Sequence, residues 1–139
     1  MREAGEPAPD ERTPIRSDAD IVVARVKGRA LAVAIGFSPG DATLIATAIS
    51  ELTRNVVQYA AAGEVDLRAV TNGTRRGIRI EVADRGPGIA DVDRALEDGF
   101  STAGRLGLGL PGVRRLMDDI EIDSLPGRGT VVCVTKWMR

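Results

Sequence analysis

Between Leu44 and Val56 the chain places apolar side chains at Leu44, Ile45, Ala48, Ile49, Leu52 and Val56, the spacing of one helical face. A helix with a single apolar stripe must bury it, so this segment requires a second layer to lie on. Ser38 and Asp41 offer caps and Pro39 suits a first helical position, with the helix ending near Gly63.

Downstream residues supply that layer. Residues 64–71 and 77–83 read as strands joined by the turn-like Asn72-Gly73 region. A helix over about residues 111–117 precedes two more strands, 120–124 and 130–136, around Pro126-Gly127-Arg128-Gly129. Upstream, Asp18 or Asp20 can cap a helix containing Ile21, Ala24, Leu31 and Ile35 that stops at Gly36. Residues 13–17 suit an edge strand, and residues 94–97 a short helix inside a glycine-rich stretch. Residues 1–12 mix two prolines with charges and carry no apolar period, which predicts a flexible tail before one domain over 13–139. Strands linked by short turns pair antiparallel, so the expected fold is α+β. It is a two-layer α/β sandwich with a mixed, mostly antiparallel sheet and its helices on one face.

Composition removes several functions. The 139 residues carry 19 basic and 20 acidic side chains, a net charge of -1, which gives no phosphate-neutralising field for nucleic acid. Phe37, Phe100, Tyr59 and Trp137 are too few for a base-stacking platform. The absence of histidine removes His-based triads, imidazole bases and a phosphohistidine acceptor. The lone Cys133 removes a disulfide and a thiolate zinc cage. The apolar run at residues 31–35 is too short for a membrane span or secretory segment, so the expected location is the cytoplasm. The only lysines, Lys27 and Lys136, lie outside any Walker-type phosphate loop.

Four constellations remain. On the helix, Glu51 and Asn55 are four apart and therefore stacked. With Leu44 at zero the apolar stripe spans 0° to about 140°, Glu51 falls at about 340° and Asn55 at about 20°. A carboxylate and an amide oxygen on that border can hold magnesium or accept a proton from a hydroxyl. A solvated Glu beside a locally bonded Asn is the plainer reading. Asp84-Arg85-Gly86-Pro87-Gly88 sets turn formers around one carboxylate after a strand, and an ordinary surface turn has the same composition. Gly104-Arg105-Leu106-Gly107-Leu108-Gly109-Leu110 ahead of a helix lets backbone amides approach an anion, and composition alone allows a merely flexible loop. It lacks the feeding strand and following acidic residue of a dinucleotide fingerprint. Gly127-Arg128-Gly129-Thr130 by itself is a hairpin turn.

The order and spacing of these four resemble the N, G1, G2 and G3 boxes of the GHKL (Bergerat-fold) ATPase and kinase superfamily. Residues 45–52, 98–102, 110–118 and 135–139 further resemble the RsbT-type serine/threonine switch kinases of the stressosome. The resemblance implies that ATP and Mg2+ are bound, with Asn55 completing the metal shell and Glu51 acting as general base. Asp84 would accept from the adenine amino group, with Gly86 and Gly88 letting the turn approach the base. Gly104, Gly107 and Gly109, with Leu106, Leu108 and Leu110 between and after them, would form the lid over the phosphates. Thr130 would support the adenine-side hydrogen bonding. Arg105 could reach the γ-phosphate, or stand solvated in the lid. The resemblance also implies partners: STAS-domain stressosome scaffold and antagonist proteins, and a PPM-type phosphatase or other output protein, with no nucleic acid and no membrane. Two alternatives stay open. One is an anti-sigma-factor kinase that sequesters a sigma factor and phosphorylates a STAS anti-anti-sigma factor. The other is a non-catalytic ATP-dependent binding module.

Overall fold

The computed structural model describes residues 11–60, 62–86, 109–125 and 127–139. Its elements are β1 (Glu11–Ile15), α1 (Asp18–Ile35), α2 (Pro39–Tyr59), β2 (Gly63–Asn72), β3 (Arg75–Asp84), α3 (Gly109–Leu116), β4 (Asp119–Leu125) and β5 (Gly129–Trp137). The strands form one five-stranded sheet in the order β1-β2-β3-β5-β4. All four pairings are antiparallel, so the sheet carries no parallel pair among the described residues.

Alternation along the strands sorts the two faces. Val65 and Leu67 of β2, Ile78, Ile80 and Val82 of β3, and Val132 and Val134 of β5 are buried on one face. They pack with Ala24, Ala32 and Ile35 of α1, Ile45, Ile49, Leu52 and Val56 of α2, and Val113 of α3 in one core. The opposite face carries Arg68, Arg79, Glu81, Glu121 and Asp123, half-buried or exposed. The expected two-layer sandwich with helices on one side is the observed architecture.

Local chemistry explains the helix ends. Ser38 is the N-cap of α2, its Oγ accepting from Asp41 N at 3.1 Å, with Pro39 in first position. The N-cap of α1 is Ser17 rather than Asp18 or Asp20. Asp20 instead reaches back one turn, its Oδ2 accepting from Arg16 N at 2.8 Å and Ser17 Oγ at 3.3 Å. Gly36 ends α1 with φ 121°, its N–H bonding to Ala32 and Val33 carbonyls. Where α1 meets α2, a Cβ on Gly28 would collide with Ile49 Cδ1, so the close approach of the two helices depends on that glycine.

Several details depart from expectation. β1 starts at Glu11, inside the segment read as tail, because β2 offers it a pairing partner at Leu67. Residues 1–10 and 94–97, which carry the rest of the expected tail and a short helix, lie outside the described residues. Leu44, placed in the apolar stripe, is 38% exposed. Ser50 and Thr53 are buried instead, because their hydroxyls donate to the Ala46 and Ile49 carbonyls at 3.0 and 2.7 Å. No helix among the described residues is long and apolar enough to cross a membrane.

Candidate functional site

α2 carries Glu51 and Asn55 one turn apart. Glu51 is 7% exposed, so it is not the solvated side chain of the plainer reading. A carboxylate removed this far from water needs a bonded partner. Its Oε1 accepts from Arg54 Nη1 at 2.8 Å, and the Arg54 side chain remains 45% exposed. Both line a cleft of about 370 Å³ between α1 and α2, bounded also by Arg25 and Arg29 of α1 and Thr47 and Ser50 of α2. The Thr47 and Ser50 hydroxyls are turned to the carbonyls of Thr43 and Ala46 within the helix. Charge in the cleft therefore comes from one buried carboxylate and three arginines. Asn55 is half-buried on the same flank.

A second group forms where β3 ends. Asp84 Oδ1 accepts from Gly86 N at 2.8 Å and from Thr130 N at 3.3 Å. Thr130 of β5 stands opposite Asp84 of β3 and opposite Ser124 of β4, so the three side chains share one row on the helix-covered face. Ser124 Oγ donates to the Gly129 carbonyl at 3.2 Å and lies 2.8 Å from Thr130 Oγ1. Serine has one hydroxyl proton, so the Thr130 hydroxyl is the donor to Ser124 and its own oxygen keeps acceptor capacity. Gly129 adopts φ 102°, and a Cβ there would strike the Asp84 carbonyl, so only glycine lets the two strand ends close. A Cβ on Gly86 would stand 2.7 Å from Ala60 Cβ, which sets the turn after β3 against the end of α2.

The two groups are thus joined through α2. From Glu51 to Ala60 is nine residues, roughly 13 Å along a helix axis. Asp84, Gly86 and Thr130 are brought together beside the C-terminal end of α2, and Glu51 and Asn55 share a flank one to two turns back from that end. Gly109 opens α3 with φ 62°, and Leu110 packs partly buried against the core. Gly88, Gly104, Arg105, Leu106, Gly107 and Leu108 lie outside the described residues. Two participants escaped sequence reasoning. Arg54 was signalled only by its i,i+3 spacing from Glu51, and Ser124 only by the β4–β5 register that faces it to Thr130.

Among the described residues no group of three or more His, Cys, Asp or Glu side chains forms a metal cage. The donor set suits magnesium all the same, since that ion commonly takes one or two protein oxygens and completes its octahedron with phosphates and water. The Asn55 amide oxygen, beside a carboxylate one turn earlier, offers that chemistry.

A two-layer sandwich with one group on the C-terminal half of its long helix and the other where a strand turn meets that helix's end has the architecture of an ATPase module. The chain belongs to the histidine kinase-, DNA gyrase B-, and HSP90-like ATPase family, whose model matches residues 40–139, and within it to the RsbT type. It is 46% identical over 125 residues to serine/threonine-protein kinase RsbT of Bacillus subtilis strain 168, covering 90% of this chain and 94% of the relative. It is 37% identical over 100 residues to the anti-sigma F factor of Caldanaerobacter subterraneus subsp. tengcongensis, covering 68% of each. The crystal structure of the RsbU and RsbW domains of a Mycobacterium tuberculosis protein superposes with a TM-score of 0.65 at 22% identity. That match covers 95% of this chain and 34% of that one, and establishes a common fold.

Proposed function

We propose that this chain is an ATP-dependent protein serine/threonine kinase of a cytoplasmic partner-switching module. It phosphorylates STAS-domain scaffold and antagonist proteins of a stressosome and, once released, activates a PPM-type phosphatase. The observation that carries the kinase reading is Glu51: a buried carboxylate, fixed by an ion pair and lining an open cleft, one turn before Asn55. Such a group beside Asn55 argues against a module that only binds ATP.

In this reading adenine lies at the Asp84 end. Among the described residues both bonds to Asp84 go to Oδ1, so Oδ2 is the oxygen assigned to the adenine amino group. Thr130 braces that end through Ser124 and through its own N–H. The phosphates run along α2 towards Glu51, covered by the glycine-rich segment 104–110. Magnesium, when bound, neutralises phosphate charge, and Asn55 is the residue that would hold it. The acceptor hydroxyl enters the cleft between α1 and α2. Its oxygen bonds to the γ-phosphorus as the β–γ bridging P–O bond breaks. ADP leaves with the electron pair, and the hydroxyl proton passes to Glu51.

The direct test incubates the full chain with magnesium and γ-labelled ATP together with a STAS-domain protein. Label stable on serine or threonine supports the reading, and hydrolysis or binding without transfer refutes it. The similarity to anti-sigma F factor favours one competing reading, in which the chain sequesters a sigma factor. Stable capture of a purified sigma factor would support that alternative.

A further inference from the structure

We propose that Arg54 is a positioning residue for Glu51, holding the carboxylate in the orientation from which it takes the acceptor proton. The inference rests on the kinase reading above. Arg54 Nη1 donates to Glu51 Oε1 at 2.8 Å across three residues of α2. Burial of Glu51 gives the carboxylate a need for a partner, but the pair adds little to anchoring the helix. Arg54 is 45% exposed, and exposed i,i+3 pairs are screened by solvent and offset by lost side-chain entropy. α2 is anchored instead by Ile45, Ile49, Leu52 and Val56, each no more than 2% exposed.

What the pair does is remove freedom. A glutamate rotates about three torsions, and Glu51 lines a cleft of about 370 Å³. A general base must come within about 2.6–3.2 Å of the hydroxyl it serves. Because Arg54 sits on the same helix, the carboxylate keeps its aim when an acceptor docks against α1 and α2. Its role is exerted through Glu51 and not on the substrate.

The test uses the full chain, magnesium–ATP and a STAS-domain acceptor, with Arg54→Ala and Arg54→Lys made in the wild-type and Glu51→Gln backgrounds. Arg54→Ala is expected to lower kcat about 10–100-fold, the scale of a misplaced reacting group, with acceptor KM and nucleotide Kd nearly unchanged. Arg54→Lys, which keeps a cationic donor, should recover most of the loss. In the Glu51→Gln background Arg54→Ala should change the rate less than about twofold, since residues that act as a unit are not additive. An equal loss in both backgrounds, a loss confined to KM or nucleotide affinity, or no loss at all would overturn the inference while leaving the kinase reading intact. Failure of the wild-type chain to transfer phosphate would overturn both.

Discussion

Asp84→Asn separates what this side chain does for the fold from what it does for the ligand. Oδ1 accepts from Gly86 N at 2.8 Å and Thr130 N at 3.3 Å. An asparagine can keep both bonds only by turning its oxygen to the two amides, which fixes its NH2 where Oδ2 had been. Folding then exchanges two charge-assisted bonds for neutral ones on a half-buried group, a loss of about 1 kcal/mol. For a domain of this size that is roughly 2–5 °C in Tm. Binding suffers more, because a donor now faces the donor of the adenine amino group. The lost charge-assisted bond is about 1.5–3 kcal/mol, or roughly 10–150-fold in Kd. Calorimetric titration with magnesium–ATP, alongside thermal unfolding with and without nucleotide, measures both effects. Equal affinity in the two folded proteins would refute the adenine assignment. An affinity loss no larger than the unfolded fraction explains would refute it as well.

Two further expectations test the packing. Gly28→Ala drives a Cβ into Ile49 Cδ1, so overpacking of about 1–3 kcal/mol should exceed the roughly 1 kcal/mol gained in helix propensity and lower the urea midpoint. Gly40→Ala, where the nearest atom is Ser38 Oγ at 4.0 Å, should leave the midpoint unchanged or raise it. Burial pushes the Cys133 thiol above its ordinary 9.0, outweighing the bond from Arg79 Nε at 3.0 Å, so alkylation at neutral pH should be slow until the chain is unfolded. A pKa raised on folding adds stability that is complete below the unfolded value and lost as pH climbs through the folded one. The unfolding free energy should therefore fall above about pH 9, and Cys133→Ala should lack that part of the decline.

The sequence revealed the architecture more fully than the state of its site. The α2 stripe and the turn residues were enough for the sandwich, because helix and strand periods are local. Strand ends were drawn short at Gly63, Asn72, Asp84 and Gly129, all turn formers that the ladder nonetheless pairs. The burial of Glu51 was not legible, since a helical wheel places it on a border and cannot say that α1 closes over that border. Ser50 and Thr53 were missed for a related reason: their hydroxyls are satisfied inside the helix, so polarity did not keep them out of the core. The Asp84–Thr130–Ser124 row depends on strand order, with β5 between β3 and β4, and no local pattern encodes that.

The central claim is that Glu51 accepts the proton of the attacking hydroxyl while Asn55 holds the nucleotide's metal. Single-turnover transfer from labelled ATP to a STAS-domain protein, with magnesium–ATP affinity measured in parallel, separates the two. Asn55→Ala should weaken binding and abolish transfer together. Glu51→Ala should bind magnesium–ATP nearly as well as wild type while transferring phosphate about 10²–10⁴-fold more slowly. Transfer by Glu51→Ala at the wild-type rate would contradict the account, leaving the carboxylate only a neighbour of the metal-holding amide.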